Sequence, residues 1–118
     1  MSIYTDMQEI IKERGVATQH MINENGNCCL LGAKCLALGY SVGQIINMDT
    51  GDPDTYYYFY STKEIPELVE VISQSYNKGN TNSSKVYFYN DEVLAGNTEK
   101  ALDILSQAEA IRREKEMA

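Results

Sequence analysis

The sequence predicts an α+β fold, with about four helices packed on a small antiparallel sheet of two or three short strands. Two observations carry this reading. Apolar residues recur at helical spacing in several stretches, and two aromatic runs, Tyr56 to Tyr60 and Lys85 to Tyr89, have strand composition. Clusters of Asn, Gly and Ser divide these segments and supply the turns.

Thr5 followed by Gln8 has the form of a capping box, and Met7, Ile10 and Ile11 then share a face. Gly15 is a natural stop, so the first helix is expected over Asp6 to Arg14. Val16 to Ile22 reads as a short strand entering the turn Asn23-Glu24-Asn25-Gly26, where Asn and Gly accept positive φ. Asn27 can cap the next segment. Cys28 to Leu38 is apolar on nearly every side except at Lys34, the pattern of a helix buried by neighbours all round. Gly32 inside it costs about 1 kcal/mol of helix propensity relative to Ala. Another backbone passing close by would explain it.

Ser41 to Met48 fits a short helix, and Asp49 to Thr55 a loop. Ser61 to Glu64 repeats the capping-box pattern before Pro66, with Ile65, Leu68, Val69, Ile72 and Tyr76 as the apolar stripe. Asn77 to Ser84 is a polar loop, and Lys85 to Tyr89 is the clearest strand expectation, closed by Asn90-Asp91. Asn97 or Thr98 caps a final helix carrying Leu102, Leu105, Ala108 and Ile111.

At 118 residues a single domain, 1–118, is expected. Lys and Arg number 10 against 17 Asp and Glu, a net charge of −7, which argues against direct nucleic-acid binding through a basic face. No apolar run approaches the roughly 18–20 residues of a membrane span, and the first residues lack a basic-then-apolar leader pattern. Cys28 and Cys35 on one helix would lie roughly 10 Å apart at about 1.5 Å per residue, beyond the about 7 Å that a disulfide bridges. Three reduced thiols and a cytoplasmic setting follow as expectations.

Four groups of residues could carry chemistry. Cys28 or Cys29, near a helix start that favours thiolate, with His20 on the preceding segment, could form a thiol-dependent enzyme; two cysteines in an apolar run also suit plain core packing. Metal is not expected. His20, Cys28, Cys29 and Cys35 lack a Cys-x-x-Cys unit, and the calcium-like run Asp49, Asp52, Asp54 would place Tyr60 where a Glu belongs. No cofactor is implied. Tyr87 and Tyr89, alternating with Phe88 on a strand, could present an aromatic face to a partner or cover the core with hydroxyls in water. The acidic row Glu64, Glu67, Glu70 could meet a basic partner or stand as a solvated helix face.

The order Gly15, Asn25-Gly26, Cys29-Leu30-Leu31-Gly32-Ala33, Tyr89-Asn90-Asp91 and Thr98 resembles a family of short uncharacterised phage and bacterial proteins. These share a Cys-x-x-Gly-Ala helix and an aromatic-Asn-Asp motif before a C-terminal helix. The chain departs from that pattern at Tyr89, where Trp is expected, and in its tyrosine-rich middle. The resemblance implies no activity, but it implies a mobile-element origin. Small acidic phage proteins often inhibit host defence by binding a protein or sequestering a nucleotide signal. The expectation is therefore a non-catalytic binding module contacting a host protein or nucleotide signal through Tyr87, Tyr89, Asn90, Asp91, Glu64, Glu67 and Glu70. The all-aromatic run at Tyr56 to Tyr60 adds an expectation of a homo-oligomer.

Overall fold

The computed structural model describes residues 2–47 and 58–117. Among them the chain forms α1 (Ile3–Arg14), α2 (Leu30–Ala37), α3 (Val42–Asn47), α4 (Pro66–Ser73), α5 (Asn82–Tyr89) and α6 (Thr98–Met117). A π-helical turn, Asn90–Leu94, continues α5, and residues 58–60 make a further helical turn. No β-strand occurs among the described residues, where β pairing is confined to isolated bridges of Cys28 with Val16 and Ile22. The α+β expectation is thus overturned in favour of an all-α fold. The calcium-like Asp run, Tyr56 and Tyr57 lie outside the described residues.

Each misassigned strand has a physical reason. Lys85 to Tyr89 has strand composition, but Thr81 and Ser84 form a reciprocal capping box immediately before it. A cap stabilises a helix by about 1 kcal/mol. Strand propensity measures fit to a pleated neighbour and lapses when no neighbouring strand exists. The helix instead pairs its own backbone groups and buries Val86 and Tyr89 on one side. Phe59, expected in a strand, sits in the helical turn with its ring in the core. Val16 to Ile22 forms a loop, because among the described residues the backbone partners it finds opposite are those of Cys28 and Cys29 alone.

The caps also moved. Ser2 caps α1 in a capping box with Thr5, so the helix begins earlier than the Thr5–Gln8 pattern suggests. Cys29, not Asn27, caps α2, whose bounds shrink from the expected Cys28–Leu38. The Ser61–Glu64 pattern does not cap α4; Ile65 stands at the N-cap without a side-chain bond. The buried Tyr4 hydroxyl from α1 supplies what is missing, accepting from Leu68 N at 3.1 Å and donating to Glu67 Oε1 at 2.9 Å.

α2 is buried along most of its length. Leu30, Leu31, Gly32, Ala33, Lys34 and Cys35 are all buried, as its apolar composition predicts. A Cβ at Gly32 would stand 2.1 Å from the Met21 carbonyl oxygen, so the expected close backbone is the 16–29 loop. α2 packs on α1 and α5, and the same core continues through Tyr4, Met7 and Ile11 of α1, Leu68 and Ile72 of α4, and Ala101, Leu105 and Ala108 of α6, where α6 lies against both α1 and α4. Lys34 is wholly buried, and its ammonium donates to the carbonyls of Tyr58, Phe59 and Ser61, closing the helical turn at 58–60.

Candidate functional site

The residues from Gly15 to Cys29 form a loop whose two ends are tied together. Cys28 N donates to Gly15 O at 3.1 Å, Ala17 N to Cys28 O at 2.9 Å, and Cys29 N to Met21 O at 3.0 Å. The Asn90-Asp91 pair fastens this loop to the helices. Asn90, fully buried, donates from Nδ2 to Ala17 O at 2.8 Å and accepts Leu30 N on Oδ1 at 3.0 Å. One side chain therefore satisfies both the loop and the N-terminus of α2, and these partners fix which way its amide points. Asp91 Oδ1 accepts from Gln19 N at 2.8 Å. That bond holds Gln19 at φ +66°, a left-handed conformation costing a non-glycine residue about 1–3 kcal/mol. The π turn seats both residues: Ala95 N reaches back to Asn90 O at 3.1 Å, and the extra residue in the turn re-aims the chain.

Beside this clasp lies a cleft of about 280 Å³. Gln19, His20 and Met21 line it from the loop, Cys29 and Leu31 from α2, and Tyr60, Tyr87 and Asp91 from the opposite side. The rings of Tyr60 and Tyr87 stand edge to face, with centroids 6.3 Å apart and planes at 89°.

The cleft gathers some of the residues that the sequence singles out and leaves others apart. On a strand Tyr87 and Tyr89 would share a face; on a helix they lie about 200° apart, at roughly 100° per residue. Tyr87 lines the cleft, whereas Tyr89 packs edge-on to Tyr76 at 5.6 Å and borders a separate depression beside Asp103 and Lys100. Burial, with the Asp103 charge adding, raises the Tyr89 phenol above its ordinary range. Asn90 is interior. The glutamate row has partners within the chain: Glu64 lies 3.8 Å from the Lys34 ammonium, and Lys115 sits 3.4 Å from Glu67 and 3.3 Å from Glu70. These pairs tie the segment before α4 to α2, and α4 to α6.

All three thiols are buried and free. Cys29 Sγ accepts from Gly32 N at 3.3 Å, acting as the N-cap of α2. Its pKa is pushed up to about 11, first by burial and further by the Asp91 carboxylate, despite the helix N-terminus. Cys28 and Cys35 rise to about 12, again chiefly through burial. Desolvation outweighs the helix dipole here because a buried thiolate loses its hydration, whereas the dipole contributes only about 0.3–1 kcal/mol. His20 is exposed at the rim of the cleft, and no hydrogen bond joins it to Cys29. Among the described residues no group of three or more His, Cys, Asp or Glu side chains is arranged to hold a metal ion, and no helix is long and apolar enough to cross a membrane.

Gln19, Met21, Leu31 and Tyr60 line the cleft without being expected there from the sequence. The positive φ of Gln19 leaves no mark in composition, because Gln is not a residue that favours it. The adjacency Asn90-Asp91 was the available signal: neighbouring carboxamide and carboxylate side chains can grip two strands of one loop. No protein-family model, curated protein or solved structure matches this chain.

Proposed function

We propose that this chain is a non-catalytic binding module that acts on a host protein through the cleft between the 16–29 loop, α2 and α5. The observation that carries the reading is the cleft itself, built by the Asn90-Asp91 clasp, with the Cys29 thiol engaged as a helix cap. The motif resemblance supports a phage or prophage accessory protein directed at a host defence factor. A protein partner is favoured over a nucleotide signal. Phosphate recognition needs cations or unengaged N–H groups, and the described lining residues include no Lys or Arg. At the start of α2, Leu30 N and Gly32 N are already taken by Asn90 and Cys29. The expectation of self-association rested on an aromatic strand, and Phe59 instead lies in the core of a helical turn.

Two substitutions test this reading. Cys29→Ser keeps a good N-cap acceptor while removing the thiol. Tyr87→Ala strips the wall of the cleft. Immobilised C29S is expected to retain the host protein captured by the unsubstituted chain, and Y87A to lose it at least tenfold, with both helical by circular dichroism. Retention by Y87A, or loss by a folded C29S, would overturn the proposal.

A further inference from the structure

We propose that the cleft is a receptor for one arginine side chain of a basic segment in the partner protein, held against the Tyr87 ring and the Asp91 carboxylate. The inference rests on the reading of this cleft as a protein-binding site and names what enters it.

Two adjacent pairs lie along α5 and the π turn that continues it. Phe88 and Glu92 are a ring and a carboxylate four residues apart, and so are Tyr87 and Asp91. Residues at this spacing lie on one helical face. The first pair is occupied from within the chain: the Lys78 ammonium stands 5.2 Å over the Phe88 ring and 2.7 Å from Glu92 Oε1. A cation over an aromatic face beside a carboxylate gains from both the ring quadrupole and the charge. The second pair has the same elements without an internal cation among the described residues lining the cleft.

Its geometry suits a planar cation. Tyr60 stands at 89° to Tyr87, so the two rings form a corner rather than a flat wall. Asp91 Oδ1 is held by Gln19 N at 2.8 Å and Asn90 Nδ2 at 3.2 Å, which fixes the carboxylate, while Oδ2 accepts no hydrogen bond from any described residue. A guanidinium can stack on a ring and donate to a carboxylate oxygen at its edge, which an ammonium cannot do with the same geometry. The net charge of −7 draws a basic segment toward the site from a distance.

The test is a titration of isotope-labelled protein with the capped peptide acetyl-Gly-Arg-Gly-amide, followed by amide chemical shifts. The citrulline peptide, equal in shape but uncharged, is the comparison. The arginine peptide is expected to shift Gln19, Tyr87 and Asp91, and the citrulline peptide to bind at least tenfold more weakly. Asp91→Asn retains an oxygen for Gln19 N and removes the charge, so it should weaken arginine binding about tenfold. Glu92→Gln, in the pair already filled by Lys78, should leave it unchanged. Equal binding of both peptides, shifts centred away from the cleft, or full affinity in D91N would each overturn the proposal. If neither peptide binds while partner capture still depends on Tyr87, this inference fails and the wider reading stands. Capture insensitive to Tyr87 removes the reading beneath it.

Discussion

Replacing Lys34 with methionine is expected to destabilise the protein by about 3–5 kcal/mol, since three carbonyls lose their donor and each buried group left unpaired costs about 1–3 kcal/mol. Methionine follows the lysine stem to within one atom of its end, so lost packing contributes little. The cost comes from what is left behind. The carbonyls of Tyr58, Phe59 and Ser61 lose their donor inside the protein, and Glu64 Oε2, which already accepts no hydrogen bond, loses the ammonium 3.8 Å away. Burial lowers the pKa of this lysine, which lessens the loss because part of its charge has been disfavoured by the fold. Urea denaturation at neutral pH reads the effect directly. With a slope of about 1–3 kcal/mol per molar urea, the midpoint should fall by roughly 2 M. A midpoint within a few tenths of a molar of the unsubstituted chain would show that the buried ammonium does not hold the 58–60 turn.

Asn90→Ala is the second large effect, expected at about 2–5 kcal/mol. It leaves Ala17 O and Leu30 N buried and unpaired, each costing about 1–3 kcal/mol. Its signature differs from that of K34M because the damage is centred on the clasp. The Leu30 amide, now sealed against Asn90 Oδ1, should exchange with solvent through local opening of the 16–29 loop as well as through global unfolding. Hydrogen exchange at Leu30 that still matches global unfolding in N90A would contradict the assigned role. Asn90→Asp is no rescue: it keeps the acceptor for Leu30 but sets a carboxylate against the Ala17 carbonyl.

Some features of the fold were legible in the residues themselves. The buried character of α2 follows from its unbroken apolar composition, and the close backbone at Gly32 follows from the cost of a glycine inside a helix. Gly15 ends α1 with φ +78°, as a glycine stop should. The secondary structure from 85 to 89 was not legible from strand propensity, because that propensity reports a neighbouring strand that the rest of the chain does not provide. The capping information in Thr81 and Ser84 was present but was absorbed into an apparent polar loop. At the site, Tyr87 and Asp91 emerged from composition, but Tyr89 was joined to Tyr87 only by the assumed strand period. Asn90 looked like a surface residue closing a turn; its burial depends on contacts some 60 and 73 residues away along the chain, which no local pattern encodes.

The proposed function has the molecule work by contact at its cleft, with its three thiols buried. The most direct measurement is the reaction of the folded protein with iodoacetamide at pH 7, with Cys28, Cys29 and Cys35 resolved by peptide mass. All three are expected to be alkylated together and no faster than the chain unfolds, since each thiol is buried and burial pushes its pKa up to about 11 or 12. Rapid alkylation of Cys29 alone in the folded protein, with a rate that climbs as a thiolate forms near neutral pH, would contradict it.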